Sequence, residues 1–489
     1  MDFTGWFMLL TLATYFLLLL RIAAQATKQN DNDTFFRAGR RSPWWMVAFG
    51  MIGASMSGVS FISVPGWVGS TGMTYLQMCA GFCFGYFAVA FLLLPLYYRL
   101  NLTSIYAYLG LRFGPHTHRI GAFFFLLSKL TGAAARLYLV CLVLQEFVAG
   151  PIGIPYPLTV ALTLLLIWGY TQKGGTGALV RTDALQTACL IVAMLALLVL
   201  CASHLQLDFS GVVATLQSSE MTRFFEWNPS SPQAFWRQFL SGIFIVIVMT
   251  GLDQDMMQKN LTCRSLKEAQ KDMCAYGLCF LPINFILLVL GVLLHAVYAH
   301  EGMALPATSD ELLPHLVASG TLSTWVILPF TIGIIAAAFS SADSALTALT
   351  TCCCIDLLQI EAHQLPPVHA NRIRKIVHIT MALALMGCIL AIYAIGSNNV
   401  INTIYVLAGY TYGPLLGLYS FGLLSKRCPV DSWVPAVTLS APVVCALLDH
   451  YAPIWWNYHF GYELLLLNGI LTFTGLALIS RCQPKKSIE

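Results

Sequence analysis

Charged side chains are scarce in this sequence. Asp, Glu, Lys and Arg make up only 10% of the 489 residues, whereas soluble proteins carry roughly 25%. So few charges cannot cover a folded surface of this size in water, and no long polar linker divides the chain into soluble domains. The scarcity of charge argues against three classes of protein: a soluble multidomain enzyme, a disordered chain and a nucleic-acid-binding protein.

Patterns for covalent catalysis and transition-metal binding are also lacking. Most of the 15 cysteines lie inside apolar runs, where a thiol behaves as a small buried hydrophobe. Cys352, Cys353 and Cys354 are consecutive, which is the wrong spacing for a zinc site. The sequence shows no nucleophile paired with a base and no glycine-rich phosphate loop. We therefore expect neither an enzyme nor an organic cofactor.

Apolar segments long enough to cross a membrane, by contrast, recur from end to end. The mean hydropathy is +0.73, and about 20 apolar residues suffice for one membrane-spanning helix. The sequence predicts an all-α polytopic membrane protein with about thirteen transmembrane helices. The predicted segments are 4–21, 43–69, 73–98, 119–148, 156–172, 177–206, 234–255, 273–299, 323–353, 375–396, 399–424, 432–451 and 459–480.

The distribution of Lys and Arg predicts how these helices are oriented. Nearly all of these cations follow the odd-numbered predicted helices, while the opposite loops hold only Arg223 and Arg237. Because cytoplasmic loops carry the excess of positive charge, we expect an N-terminus outside and a C-terminus in the cytoplasm. The expected location is the cell membrane, plasma or bacterial inner. The first segment lacks a basic start and is expected to be a retained helix rather than a signal peptide.

Two predicted helices contain helix-breaking residues at corresponding places. The second has several glycines and then Pro65-Gly66, and the seventh has Thr250-Gly251 before the polar run 253–255. Glycine and proline are common in transmembrane helices, which explains either helix alone better than the matched pair. Paired broken helices indicate an inverted-repeat transporter with a site near the bilayer midplane. We expect an extra N-terminal helix and basic cytoplasmic loop over 1–42, a first five-helix repeat over 43–206, a second, inverted repeat over 234–424, two C-terminal helices over 432–480 and a cytoplasmic tail over 481–489.

Ionisable side chains inside predicted helices are candidate functional residues, because a charge at membrane depth is costly without a partner or water. Asp183 begins the sixth helix, and Asp343 lies in the hydroxyl-rich segment 340–344 of the ninth. The carboxylate and hydroxyl oxygens of this segment suit a hard cation. Serine hydroxyls can, however, simply donate to the backbone carbonyls of the preceding helical turn. Lys129 and Arg136 share one face of the fourth helix. These two cations either neutralise the buried aspartates or meet an anionic substrate.

A series of short motifs runs through residues 35–430; each is weak alone, but together their order and spacing are specific. The motifs are Phe36-Arg37-Ala38-Gly39-Arg40, Met56-Ser57-Gly58, Pro65-Gly66, Leu102-Thr103-Ser104, Tyr108-Leu109, Arg112-Phe113-Gly114, Thr182-Asp183 with Gln186, Asp253-Gln254, Gln258-Lys259 and Ala337 through Ser344. In these motifs the chain resembles the sodium/solute symporter family. The resemblance implies the fold of a bacterial leucine transporter, a 5+5 inverted-repeat core with broken first and sixth core helices.

The resemblance also implies cation sites. The family's conserved sodium site takes carbonyl oxygens at the break of the first core helix and a carbonyl with two hydroxyls from the eighth. The matching residues here are Gly53, Met56, Ala337, Ser340 and Ser341. A second sodium site of some members corresponds to Asp183, Asp343 and Ser344. Asp343 stands where those members have a hydroxyl, so it either strengthens a cation site or binds a proton.

The same resemblance places a substrate between the broken helices. The candidate residues are Ser57, Ser60, Tyr75, Gln77, Lys129, Arg136, Asp253, Gln254 and Tyr405. A branch of the family that transports sialic acid binds the carboxylate with an arginine on the fourth helix, and the matching residue here is Gly132. Lys129 and Arg136 flank that position by about one helical turn. A sugar, sugar acid, amino acid, carboxylate, vitamin or small anion all remain open as the solute.

The sequence and the resemblance together predict a secondary active symporter. We expect a monomer in contact with membrane lipid, in which a sodium gradient drives uptake of a small polar solute by alternating access, with Na⁺ as coupling ion. One alternative is a proton-coupled symporter of the same fold, with Asp343 or Asp183 as the carrier. Another is a ligand-sensing membrane protein, which we expect to carry a signalling domain, whereas nine residues follow Ser480 here.

Overall fold

The computed structural model describes residues 3–26, 35–36, 38–360, 366–395 and 400–481, and most of these residues are helical. The helices are α1 (Phe3–Ala26), α2 (Trp44–Ser55), α3 (Gly58–Thr71), α4 (Tyr75–Arg99), α5 (Ala107–Arg112), α6 (Pro115–Ile152), α7 (Tyr156–His204), α8 (Phe209–Ser218), α9 (Phe235–Gly251), α10 (Gln254–Asn260), α11 (Leu266–His300), α12 (Leu312–Ala318), α13 (Ile327–Leu357), α14 (Pro367–Ile395), α15 (Val400–Leu424), α16 (Val434–Trp456) and α17 (Leu464–Leu478). The two strands β1 (Cys428–Pro429) and β2 (Ser480–Arg481) pair antiparallel.

The predicted all-α polytopic architecture is confirmed, whereas the count of thirteen spans is not. Every predicted segment overlaps a helix, but only seven helices in the described ranges are long and apolar enough to cross a membrane, or nine if each bent pair is one span. The segments predicted at 156–172 and 177–206 form one helix, α7, interrupted at Gly175. There φ is +49°, and a Cβ would press against Phe35. The interruption is therefore a local kink at glycine, which tolerates positive φ.

Both predicted broken helices are present. The axes of α2 and α3 differ by 61°, and those of α9 and α10 by 69°. Ser57 caps α3, since its hydroxyl accepts the Ser60 N–H at 3.4 Å. Asp253 caps α10, since its carboxylate accepts the Asp255 N–H at 2.9 Å. Polar side chains at the two breaks thus bond to amides that the interrupted helices leave free.

Glycines place the first broken helix between α7 and α13. A Cβ on Gly50 would lie 3.0 Å from the Asp183 Cβ of α7, and one on Gly58 would lie 3.8 Å from the Ile334 carbonyl oxygen of α13. Small residues allow helix backbones to approach this closely. Helix α13 is 94% buried over its most apolar stretch, so it runs through the centre of the molecule. This packing brings the break at 56–57 beside Asp183 and the serine-rich part of α13.

Candidate functional site

A cavity of about 110 Å³ lies between the two broken helices, with walls from α2, α3, α4, α6, α9, α10, α11 and α15. Six of the nine predicted substrate residues line it: Ser57, Ser60, Tyr75, Lys129, Arg136 and Asp253. A concave site with a few convergent polar groups is the usual form of a small-molecule pocket. The side chain of Tyr405 falls outside the described residues, although its backbone belongs to α15.

The two predicted glutamines, Gln77 and Gln254, do not line the cavity. The Gln77 amide donates to the Gln233 carbonyl at 3.0 Å and ties α4 to the segment before α9. Gln254 accepts the Ile105 N–H at 2.9 Å and donates to the Thr103 carbonyl at 3.0 Å. Both amides bond to backbone of other segments, because burial requires partners for their polar atoms. Here they join segments rather than present free groups to a solute.

Lys129 is enclosed by carboxylates that the sequence did not connect with it. Its Nζ lies 3.2 Å from both Asp253 oxygens and 2.7 Å from Asp255 Oδ2. Of the two alternatives for Lys129, the structure shows internal ion pairing, but with Asp253 and Asp255 instead of Asp183 or Asp343. Tyr412, a cavity residue that sequence reasoning missed, donates to Asp253 at 2.6 Å. Lys129 is thus a neutralised part of the cavity wall.

Arg136 differs from Lys129 in having no such partner. Its half-buried side chain lines the cavity about two helical turns beyond Lys129 on α6. Across the described ranges, no ion pair or hydrogen bond to Arg136 is present. Gly132 lies between the two cations, and a Cβ there would meet no atom within 4 Å, so the space is open. The cavity therefore presents one guanidinium that has no direct ion pair or hydrogen bond in the described part of the chain.

Lys259 is the main functional candidate that the sequence analysis missed. It was counted among the cytoplasmic loop cations, but the bend between α9 and α10 folds it inward, and only 2% of it is exposed. Its Nζ lies 2.8 Å from Asp183 Oδ2 and 3.8 Å from Asp255 Oδ1. The four-residue spacing of Asp255 and Lys259 is typical of helical ion pairs. That spacing was the one feature of the sequence from which an ion pair of Lys259 could have been predicted.

The predicted sodium ligands lie around the break of the first broken helix. Ser340 donates to Asp183 Oδ1 at 3.0 Å, whereas Ser341 donates within its own helix to the Ala337 carbonyl at 3.2 Å. Gly53 lies in the last turn of α2, where helical carbonyls lack partners along the helix. Met56 follows with a non-helical backbone, φ −79° and ψ 77°. Hydroxyl and carbonyl oxygens of this kind fit a hard cation such as Na⁺.

The predicted second cation site is centred on Asp343, which is fully buried. Tyr170 donates to Asp343 Oδ2 at 2.7 Å, and Ser344 donates to Oδ1 at 3.2 Å. No Lys or Arg of the described part of the chain forms an ion pair with Asp343. Its carboxylate therefore accepts two hydroxyl hydrogen bonds and has no direct ion pair in the described part of the chain.

The buried charges of the whole site leave a negative balance. Four aspartates face three cations if all are ionised, which gives one net negative charge. The aspartates are Asp183, Asp253, Asp255 and Asp343, and the cations are Lys129, Arg136 and Lys259. An excess negative charge away from water favours binding of a cation. The charge balance and the available oxygens thus both fit sodium.

Curated proteins similar to this chain are sodium-coupled transporters. A sodium/sialic acid symporter, NanT of Aliivibrio fischeri, is 26% identical over 445 residues, which cover 86% of this chain and 83% of that protein. The human sodium/iodide cotransporter is 25% identical over 82% of this chain and 62% of its own length. Human sodium-coupled monocarboxylate transporter 2 is 24% identical over 88% of this chain and 70% of its own length.

Solved structures share the fold. A substrate-bound, outward-open Na⁺-coupled sialic acid symporter superposes with a TM-score of 0.82 at 20% identity, covering 99% of this chain and all of that one. A nucleobase-cation-symport-1 family transporter in a closed conformation reaches 0.57 at 13% identity, covering 92% of this chain and 94% of that one. The sequence profile of the sodium:solute symporter family matches residues 35–431. The chain therefore belongs to the sodium:solute symporter family and is a sodium-coupled secondary transporter with a leucine-transporter-like fold, not an enzyme.

Proposed function

We propose that this protein carries a small organic anion together with sodium, and that the anionic group binds Arg136. The observation that carries the proposal is the guanidinium in the cavity wall, which has no direct ion pair or hydrogen bond in the described part of the chain. A guanidinium offers paired N–H donors that match a carboxylate. Sialic acid, iodide and monocarboxylates, which the names of the relatives mention, are anions at neutral pH and support this class.

The proposed sodium site uses oxygens from α2 and α13. Its ligands are the carbonyls of Gly53, Met56 and Ala337 and the hydroxyls of Ser340 and Ser341. We assign Asp183, Asp343 and Ser344 to a second cation or coupling site, supported by the hydroxyl-bonded carboxylate of Asp343. Ser57, Ser60 and Tyr75 supply hydroxyls around the solute. The carbonyl and hydroxyl ligands, together with the sodium-coupled relatives, favour sodium over a proton as the coupling ion.

Transport by alternating access follows from such a site at two broken helices. Sodium bound at α2 and α13 holds these helices together, and its release to the cytoplasm loosens the site. We place the protein in the cell membrane with its N-terminus outside and its C-terminus in the cytoplasm, and we expect it to work as a monomer in contact with lipid. The two repeats are proposed over 43–206 and 234–424.

Ligand-dependent thermal stability of the purified protein tests the proposal, because a ligand that binds the native state stabilises it. N-acetylneuraminate, lactate, gluconate and iodide are each compared with the neutral solute glucose, in sodium chloride or choline chloride. We expect at least one anion to raise the unfolding temperature only in sodium. Arg136→Gln should lose that increase and keep the one due to sodium alone.

The matched control is Arg223→Gln, since Arg223 is a loop arginine whose side chain is 55% exposed. It should respond to the same anion like the wild type. Stabilisation by glucose with no response to any of the anions would contradict the proposed anionic class. An anion response that survives in Arg136→Gln would remove Arg136 from the site.

A further inference from the structure

A row of buried charges joins the substrate cavity to the proposed sodium site. Lys129 Nζ lies 2.7 Å from Asp255 Oδ2, and Asp255 Oδ1 lies 3.8 Å from Lys259 Nζ. Lys259 Nζ lies 2.8 Å from Asp183 Oδ2, and Ser340 donates to the other Asp183 oxygen. None of the four charged side chains is more than 5% exposed, and their signs alternate. The row therefore connects the two ends through contacts shielded from solvent.

Asp255 stands in the middle of this row and is shared between two lysines. Each lysine also has an aspartate of its own, Asp253 for Lys129 and Asp183 for Lys259. The shared carboxylate is therefore not required to neutralise either ammonium. Its two unequal distances, 2.7 Å and 3.8 Å, leave it nearer to Lys129. A carboxylate in this position shifts toward whichever ammonium is less well neutralised.

We propose that Asp255 is a positioning residue that couples anion binding at the cavity to sodium binding near Asp183. An anion bound at Arg136 lies in the cavity that Lys129 also lines. Its negative charge attracts the Lys129 ammonium in competition with Asp255, and Asp255 moves toward Lys259. Lys259 is then held less tightly by Asp183, whose negative charge becomes available to sodium. By thermodynamic linkage, sodium strengthens anion binding by the same factor. The inference rests on the proposed function, which supplies the anion and the sodium.

Sodium alone can test the row, without a known solute. Lys129→Gln removes the ammonium from Asp255 as a bound anion would, so we expect it to raise sodium affinity by at least about fivefold, the lower end of common coupling factors. Asp255→Asn should lower sodium affinity, because Lys259 then pairs with Asp183 alone. When Lys129→Gln is added to Asp255→Asn, sodium affinity should not change further. Sodium affinity is read from unfolding temperatures across a sodium chloride titration balanced with choline chloride.

The double-mutant cycle separates this role from a structural one. Asp255→Asn leaves both lysines paired, and Asp255→Glu should restore the wild-type pattern. Asp449→Asn makes the same carboxylate-to-amide change on α16, where Asp449 accepts from Tyr410, and should leave sodium affinity unchanged. If Lys129→Gln fails to fold, Asp253→Asn supplies a second measurement of opposite sign. It draws Lys129 toward Asp255 and should lower sodium affinity only while Asp255 is present.

Equal effects of Lys129→Gln with and without Asp255 would overturn the inference, since the charge would then act directly through space. The absence of any effect of Lys129→Gln or Asp253→Asn would overturn it as well. An anion site that is not at Arg136 would contradict the proposed function and leave this cycle intact. A wild type that sodium does not stabilise would contradict both.

Discussion

Ser340 and Ser341 are adjacent in the chain, but their hydroxyls have different partners. Ser340 donates to Asp183 on α7, whereas Ser341 donates to carbonyls of its own helix. Only the first hydroxyl therefore joins two helices in the described contacts. Replacing Ser340 should therefore have the larger effect on sodium affinity. The change also deprives the buried Asp183 carboxylate of a hydrogen-bond donor, and an unpaired buried polar group is costly.

We expect Ser340→Ala and Ser341→Ala each to raise the sodium concentration for half-maximal uptake, the first by more. Loss of one oxygen ligand costs about 1 kcal/mol, or about fivefold in affinity. Sodium-dependent uptake into proteoliposomes measures the effect. Ser440→Ala is the control, since Ser440 is exposed on α16 and its hydroxyl donates to the Val437 carbonyl of its own helix. Unchanged sodium dependence in both variants would exclude these serines as ligands.

Asp343 should act on the cation as a charge rather than as a structural group. We expect Asp343→Asn to lower sodium affinity and to flatten a sigmoidal sodium dependence, because one negative charge is lost. Tyr170→Phe removes the phenol that donates to Asp343 at 2.7 Å and keeps the charge, so its effect should be smaller. Uptake is measured in separate sodium and pH titrations. A lost pH dependence with an intact sodium response would assign a proton to Asp343, and wild-type behaviour in both would exclude either role.

Individual candidate residues were predictable where local sequence reveals them, and their partners were not. A lone Asp or Lys in an apolar helix stands out, so Asp183, Asp343 and Lys129 were found. The contact of Lys129 with Asp253 spans 124 residues of sequence and depends on how α6 packs against α10. Lys259 follows an apolar segment, as a cytoplasmic lysine would, so the charge census placed it outside the membrane. The bend into α10 instead buries Lys259 within the protein beside Asp183.

At the scale of single elements, the start of α6 depends on a residue far along the chain. Asp431, just before α16, accepts the His116 N–H at 3.0 Å and the Thr117 N–H at 2.9 Å. A carboxylate at a helix N-terminus pairs with free amides and with the positive end of the helix dipole. Asp431 thus fastens the end of a core helix to the two C-terminal helices, although α16 and α17 lie outside the predicted repeats.

We expect Asp431→Ala to destabilise the protein by about 1 kcal/mol, the usual cost of losing an N-terminal cap. The unfolding temperature should fall. The sodium concentration that gives half of the sodium-dependent increase in unfolding temperature should stay the same, since Asp431 is remote from the cation ligands. Asp431→Asn, which keeps an acceptor oxygen, should lie between wild type and alanine. A changed sodium midpoint with an unchanged unfolding temperature would contradict this capping role.

Helices and their breaks were predictable to different extents. Hydropathy located the long helices, because lipid admits only apolar segments with internally bonded backbones. Glycine, proline and polar runs located both broken helices, since these residues disfavour a regular helix. The wide turns at Val89–Leu93 and Gln145–Ala149 were not predictable. Such π-helical insertions shift the backbone by one residue, and tertiary packing decides where they form.

At the scale of the whole molecule, the charge balance predicts electrogenic uptake. The unloaded site has one net negative charge if all its groups are ionised, so one sodium neutralises it, and a bound monovalent anion calls for a second. We therefore expect two sodium ions per monovalent anion and a net inward positive charge. Anion-dependent uptake into proteoliposomes should increase when potassium and valinomycin set an interior-negative potential. Equal potassium on both sides is the control, and uptake indifferent to voltage would contradict this stoichiometry.

The buried charge row also bears on how the protein is made. During synthesis, Lys129 and Asp183 leave the ribosome well before Asp253, Asp255 and Lys259, with which they form ion pairs in the described part of the chain. A lone charge at the centre of an inserting helix costs roughly 2.5–3.5 kcal/mol. Helices α6 and α7 therefore carry this cost until α10 arrives. Closing the ion pairs then removes the cost, so the row links the insertion of α6 and α7 to the later arrival of α10.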